Sequence, residues 1–156
     1  MDLQQPPSGT FLPIGQADIS AAVAFTGGTP LSVPFDRIQF NKGEALRAPN
    51  PAIPDVYLGV GPGLWLFQAQ FSLSVAPATS VVAQLQCESD SQLLQSQVKW
   101  GSVDHGVISL NALQLNSYAA LQVDNIFAAL RLIITGTGTS GNVTSAQIFA
   151  FRMGQK

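Results

Sequence analysis

Five short stretches hold the side chains whose types and spacing could support chemistry. Asp104-His105 is where the single histidine of the chain meets a carboxylate. A histidine titrates near neutral pH and serves as a base or a metal ligand. One His and one Cys do not complete a zinc site, and no nucleophile motif precedes the pair. The expectation is a solvated histidine in a loop, Gly101–Gly106. The run Gly136-Thr137-Gly138-Thr139-Ser140-Gly141 spells Gly-x-Gly-x-x-Gly. A dinucleotide site needs a helix N-terminus after those glycines to hold the pyrophosphate, and an acidic residue about 20 positions on. A strand-like run follows instead, so these residues are expected to form a hairpin loop. Glu88-Ser89-Asp90 offers two carboxylates on a turn, whereas calcium takes about six to eight oxygens; a turn-forming acidic pair is expected. Asn142-Val143-Thr144 spells a glycosylation acceptor, which has meaning only in a secreted chain. Cys87, the only cysteine, shares its parity with Val81, Ala83 and Leu85 and reads as a small buried hydrophobe. No catalytic residue, cofactor or metal ligand is expected, and the chain does not read as an enzyme.

The elements that would position such residues are strands. From Trp65 the odd positions Trp65, Phe67, Ala69, Phe71, Leu73 and Val75 are all apolar, while the even ones pass from Leu66 to Gln68, Gln70, Ser72 and Ser74. A period of two sends alternate residues to opposite faces of a strand, so one face is core throughout. This is expected to be a central strand. Ala76-Pro77-Ala78-Thr79 turns the chain, and Ser80 to Glu88 alternates again. Further strands are expected over Leu93 to Trp100, Val107 to Leu115, Ala119 to Val123, Phe127 to Thr135 and Val143 to Met153. The last two are apolar on both parities, as in strands buried on both faces. Shorter strands fall at Ala22–Thr26, Leu31–Val33 and Phe35–Phe40. Residues 43–63, interrupted by Pro49, Pro51, Pro54 and Pro62, look like an irregular excursion with Val56-Tyr57-Leu58 as its one strand fragment. The sum is an all-β sandwich or barrel of about eight to ten antiparallel strands.

Composition narrows the function. The 156 residues are one domain's worth, with 46% hydrophobic and only 10% charged, against about 25% charged in an ordinary globular domain. The surface is therefore uncharged polar, with some apolar area covered by other copies. The net charge of −2 and scattered Lys and Arg argue against nucleic acid as a partner, since that needs clustered cations and no block of sequence forms a patch. No apolar run approaches the roughly 20 residues of a membrane helix. The first residues lack a basic segment followed by an apolar run, so no signal peptide is expected and synthesis is placed in a cytoplasm. Residues 1–20 carry Pro6, Pro7 and Pro13 and read as an extended arm. Its apolar residues Phe11, Leu12 and Ile14 are too few for a core and are expected to dock on a neighbour; residues 21–156 form the folded domain.

The body of the chain resembles the jelly roll of the tumour-necrosis-factor and complement-globular-head superfamily. Val33-Pro34-Phe35-Asp36-Arg37-Ile38-Gln39-Phe40-Asn41 is similar to its early strand, an apolar-Pro-Phe-Asp opening followed by alternation and Asn. Val60-Gly61-Pro62-Gly63-Leu64-Trp65-Leu66-Phe67 is similar to its central Pro-x-x-Gly-x-Tyr-x-Phe pattern, with Trp65 where Tyr is usual. Val107–Leu110 through Leu121–Val123 resembles its two adjacent strands, and Ala146–Phe151 its closing strand. The resemblance spans about residues 21–153.

The resemblance implies a ten-stranded jelly-roll β-sandwich forming a homotrimer with an apolar seam on the threefold axis. Trp65, Phe67, Phe71, Phe127, Phe149 and Phe151 are then core, or core shared with that trimer seam. A charge-poor member with an N-terminal arm looks like a virion surface component. The expected function is a capsid decoration (cement) protein that binds and stabilises the lattice, with the major capsid protein as partner and Phe11, Leu12 and Ile14 in the capsid-binding arm. The alternative is a trimeric spike or fibre head binding a host receptor or surface glycan, with residues 43–58 and 101–106 at its rim.

Overall fold

The computed structural model describes residues 13–47, 56–58, 64–89, 92–114, 129–137 and 140–154, of which 92–114 are described by their backbone. Ten strands run through them: β1 (Ile14–Asp18), β2 (Val23–Phe25), β3 (Leu31–Ser32), β4 (Arg37–Lys42), β5 (Leu46–Arg47), β6 (Val56–Leu58), β7 (Leu64–Ser89), β8 (Gln92–Gln114), β9 (Ala129–Thr137) and β10 (Gly141–Gly154). The hydrogen-bonded order is β4-β1-β10-β7-β9-β6-β5, with β2 on β10, β3 on β9 and β8 on β7.

The organising element is the long strand β7. β8 pairs along one edge of it, from Trp65↔Gln114 to Ser89↔Gln92. The opposite edge changes partner: β10 takes Leu64 to Val75 and β9 takes Ser80 to Glu88. The first half of β7 therefore belongs to one layer (β4-β1-β10-β7-β8) and the second half to another (β5-β6-β9-β7-β8). The inward residues of both halves, with those of β9 and β10, join one core cluster. This is a jelly-roll sandwich.

Two expected breaks are resolved differently by the backbone. Ala76 to Thr79 remains within β7, but the pairing with β8 steps from Ser74↔His105 to Thr79↔Val103. Five steps along β7 face two along β8, an enlarged bulge at which the strand leaves one layer for the other. Pro77, which has no N–H to donate, is tolerated at such a place. The loop expected over Gly101–Gly106 is instead part of β8, with Gly106 opposite Leu73 and His105 opposite Ser74. Glycine read as punctuation here marks the strand segment facing the bulge.

Part of the stretch 1–20 expected as an arm belongs to the folded sheet. Ile14 to Asp18 form β1, inserted between β10 and β4, and Arg152 N–H donates to Pro13 O at 2.9 Å. The inward residues of β1 are Gly15 and Ala17, too small to register as an apolar parity. Gly15 is required there: a Cβ would lie 2.8 Å from Leu46 Cγ. Ile14 is thus tied into the protomer's own sheet, while Phe11 and Leu12 lie outside the described residues.

The glycine-rich run after β9 does not close a hairpin. β9 and β10 pair with different halves of β7, so the connection passes between layers. Within β9, Leu130, Leu132 and Ile134 are fully buried, whereas Arg131, Ile133 and Thr135 are half-buried; only one face of this strand is core. The excursion 43–63 contains a small antiparallel pair, Leu46↔Leu58. Asn41 closes the turn that leads into it, accepting from Leu46 N–H at 2.9 Å and donating to Leu46 O.

Candidate interaction face

The aromatic residues expected in core or seam divide by parity. Trp65, Phe67 and Phe71 point inward and are 0%, 2% and 1% exposed; Trp65 and Phe67 stack at 6.3 Å. They are core alone. Phe149 and Phe151 alternate with the fully buried Ile148 and Ala150, so they stand on the opposite face of β10, half-buried. Phe127 lies outside the described residues.

The register assembles that face in rows across β4, β1, β10 and β7. One row runs Lys42, Ile14, Phe151, Leu66; the next runs Phe40, Gln16, Phe149, Gln68; a third holds Asp18, Gln147 and Gln70. One end is thus apolar and the other amide-rich. Phe40 is the one large hydrophobic among the described residues classed as exposed, at 38%. On the outward side of the second layer the described side chains include Arg47, Val82, Gln84, Gln86, Arg131, Ile133 and Thr135, with no aromatic among these. Among the described side chains, the outward aromatics therefore lie on the β4-β1-β10-β7 face.

At the edge of this face Asp18 accepts from Arg37 Nε and Nη2, both at 2.8 Å, and from Gln39 Nε2 at 2.7 Å. The bonds from Arg37 hold the Asp18 carboxyl below its ordinary range against an opposing desolvation, helped by Gln39. Asp36 accepts from Ser20 N–H at 2.7 Å and also pairs with the Ser20 hydroxyl. These bonds tie the end of β1 to the start of β4. Arg152, inward and 9% exposed, sits opposite Trp65, and burial pushes its guanidinium below the usual arginine range.

Away from that edge, amides of the second and third rows connect. Gln16 Nε2 donates to Gln147 Oε1 at 2.9 Å and Gln147 Nε2 donates to Gln70 Oε1 at 2.5 Å. A cleft of about 280 Å³ lies on one side, lined by Asp18, Arg37, Gln70, Ser72, Ser145 and Gln147 among others. A smaller one of about 120 Å³, lined by Gln16, Gln68, Gln70, Gln147 and Phe149, lies on the other. Sequence reasoning missed this amide run and the Asp18–Arg37 pair, because both depend on the register of β1, whose signal was hidden by Gly15 and Ala17.

The other candidates stay apart. Cys87 is a buried thiol inside the core cluster. Thr144 Oγ1 donates to Ser72 O at 3.1 Å, pinning β10 to β7 beside the exposed Asn142. Glu88 and Ser89 belong to β7, and Asp90 lies outside the described residues. Among the described residues no three His, Cys, Asp or Glu side chains gather as metal ligands would. No helix there is long and apolar enough to cross a membrane.

Two layers, a hairpin running through both and the strand order above make a jelly roll, and solved structures that include tumour-necrosis-factor and complement-head proteins share that fold. The chain is similar to PRD1 vertex protein P5, at 15% identity and a TM-score of 0.57 over 92% of this chain and 99% of that one. It is similar to the globular domain of zebrafish complement 1qA protein, at 13% identity and a TM-score of 0.58 over 94% and 100%. Murine APRIL gives 10% identity and a TM-score of 0.59 over 89% and 98%. At these identities the likeness is one of fold. No protein-family model and no curated protein sequence matches the chain.

Proposed function

We propose that this chain is a structural protein of a virion surface, a homotrimeric decoration protein that binds the major capsid protein and stabilises the lattice. The observation that carries the reading is the outward apolar end of the β4-β1-β10-β7 face, with Ile14, Phe40, Leu66, Phe149 and Phe151 in adjoining rows. A chain with so little charge gains by covering such a face with copies of itself. The likeness to a protein named for a vertex supports a place on a particle. The mechanism is added buried area between neighbouring capsid subunits, on the order of 1,000 Å² or more per contact, with no bond made or broken.

The test is mass in solution by light scattering, followed by co-sedimentation with purified particles. Because Ile14 to Asp18 belong to the sheet, the informative truncation removes residues 1–12 only. A chain so shortened should keep the trimer mass and lose particle binding; undiminished binding would remove the arm from the mechanism. The vertex name also favours a second reading, a trimeric spike or fibre head that binds a host receptor or glycan. Copy number separates the two, since decoration covers a lattice and a spike occupies vertices alone.

A further inference from the structure

We infer that the cleft beside Asp18, between the end of β1 and the β7–β10 pair, is a binding site for a neutral pyranose sugar, met as one unit of a glycan. The inference goes beyond the decoration reading and rests on the cleft's own residues, so it holds for a lattice protein and a spike alike. It places sugar binding on the outward sheet face, away from residues 43–58 and 101–106.

The cleft forms where two strands are irregular at the same place. β1 ends at Asp18, opposite Gln147. One row further on, β10 carries a bulge: Val143 faces Leu73 and Ser145 faces Ser72, with Thr144 the extra residue. Bulges re-aim neighbouring side chains and are common beside sites. The space enclosed is about 280 Å³, near the lower bound of about 300 Å³ for small-molecule sites, and suits a single sugar ring. Three lining residues, Ile19, Phe71 and Ala146, are buried and apolar. The others, Asp18, Arg37, Gln70, Ser72, Ser145 and Gln147, are polar. A pyranose has the matching division, with C–H groups on its ring face and hydroxyls around its rim. Among the described residues no hydrogen bond uses Gln70 Nε2, Ser72 Oγ or Ser145 Oγ. Amide N–H donors and two hydroxyls, which donate and accept as sugar hydroxyls do, are therefore open to a ligand. Gln70 is held for this task, because Gln147 donates to its Oε1 and Gln16 in turn donates to Gln147. Groups fixed beforehand lose less entropy on binding. Arg37, the described cation lining the cleft, is bonded twice to Asp18, which favours an uncharged ligand over an anion. Phe149 and Phe151 lie on the other side of Gln147 from Ser145, so copies covering those rows leave the cleft at the rim.

The test titrates the full chain with methyl glucoside, methyl galactoside, methyl mannoside and N-acetylglucosamine, and with inorganic phosphate and N-acetylneuraminic acid as anionic probes, following backbone amide shifts by NMR. The expected result is saturable binding of at least one neutral sugar, with a dissociation constant on the order of 1 mM and the largest shifts at Gln70, Ser72, Ser145 and Gln147. Two variants follow, with circular dichroism as the check on folding. Ser72→Ala combined with Ser145→Ala removes both hydroxyls and should weaken binding about tenfold or more, as the loss of two hydrogen bonds predicts. Ser145→Leu fills the cleft and should abolish binding. The inference is overturned if no neutral sugar saturates below about 100 mM, if the shifts centre elsewhere, if either variant binds as the unaltered chain does, or if the anionic probes alone bind. Mass in solution is a separate readout. Failure to bind sugar leaves the trimer reading standing, and a monomer that binds sugar overturns the trimer reading alone.

Discussion

The ring of Phe149 meets the ring of Phe40 edge-on, with centroids 6.5 Å apart and planes at 66°. The two residues stand on strands separated by β1, and Gln16 is the residue between them in the row. The rings thus lean toward one another across a glutamine, on the side of the sheet away from the core. An edge-to-face pair contributes about 0.5–1.5 kcal/mol beyond area burial. It gives the protomer a small gain and leaves an aromatic surface facing out.

Phe67 and Phe149 should therefore respond in opposite ways to truncation. Phe67→Ala empties a filled position in the core, and its urea midpoint should fall by the equivalent of about 3–5 kcal/mol. Phe149→Ala should lower protomer stability by about 1 kcal/mol while weakening association by about 2 kcal/mol or more, as expected of a central aromatic anchor. Equilibrium unfolding and dilution light scattering on both variants check the contrast.

Phe25 occupies the space that side chains at two glycines would need. A Cβ at Gly136 would sit 2.6 Å from Phe25 Cε2, and Phe25 is itself buried. Gly136→Ala should cost about 1–3 kcal/mol through overpacking. Adding Phe25→Leu should recover part of that loss. A double-mutant cycle in urea measures the coupling, and strict additivity of the two losses would exclude the contact as the cause.

The Asp18 carboxyl is held below its ordinary value of 3.8, chiefly by its hydrogen bonds from Arg37 and then by Gln39. A group whose folded value is depressed contributes stability that is fully present above the unfolded value. That contribution is lost as pH falls through the folded value. The acid-side decline of wild type, below about pH 4, should accordingly be steeper than that of Asp18→Asn. Chemical-denaturation midpoints at about pH 7 and about pH 3 on both proteins test the sign.

Gly43 and Glu44 have φ of 66° and 53°. Two successive positive φ values suit a type I′ turn, in which Asn and Gly are favoured. Glu44→Asn should raise stability by about 0.5–1 kcal/mol, since a bulky L-residue in the left-handed region is strained. Thermal unfolding of the single variant checks this.

Where alternation was strong, the fold could be read in the sequence. Every odd residue from Trp65 to Val75 is core, and Val81, Ala83, Leu85 and Cys87 continue the same inward face. The signal failed where the inward residues are small, as at Gly15 and Ala17, because an apolar count does not register a Cβ that is absent or a lone methyl. It failed again at Gly101–Gly106, where glycine serves a strand facing a bulge. The interaction face was legible only in part. Phe149 and Phe151 stood out as surplus apolar residues, but the amide run joins residues 131 and 77 positions apart in sequence, and no local pattern encodes such a register.

One consequence follows from a single hairpin threading both layers. Neither layer can peel away or be traded with a sister molecule on its own, because β7 and β8 would drag half of the other layer along. Copies of this chain should therefore meet as finished bodies, face against face, and the lattice they join should find each of them already shaped.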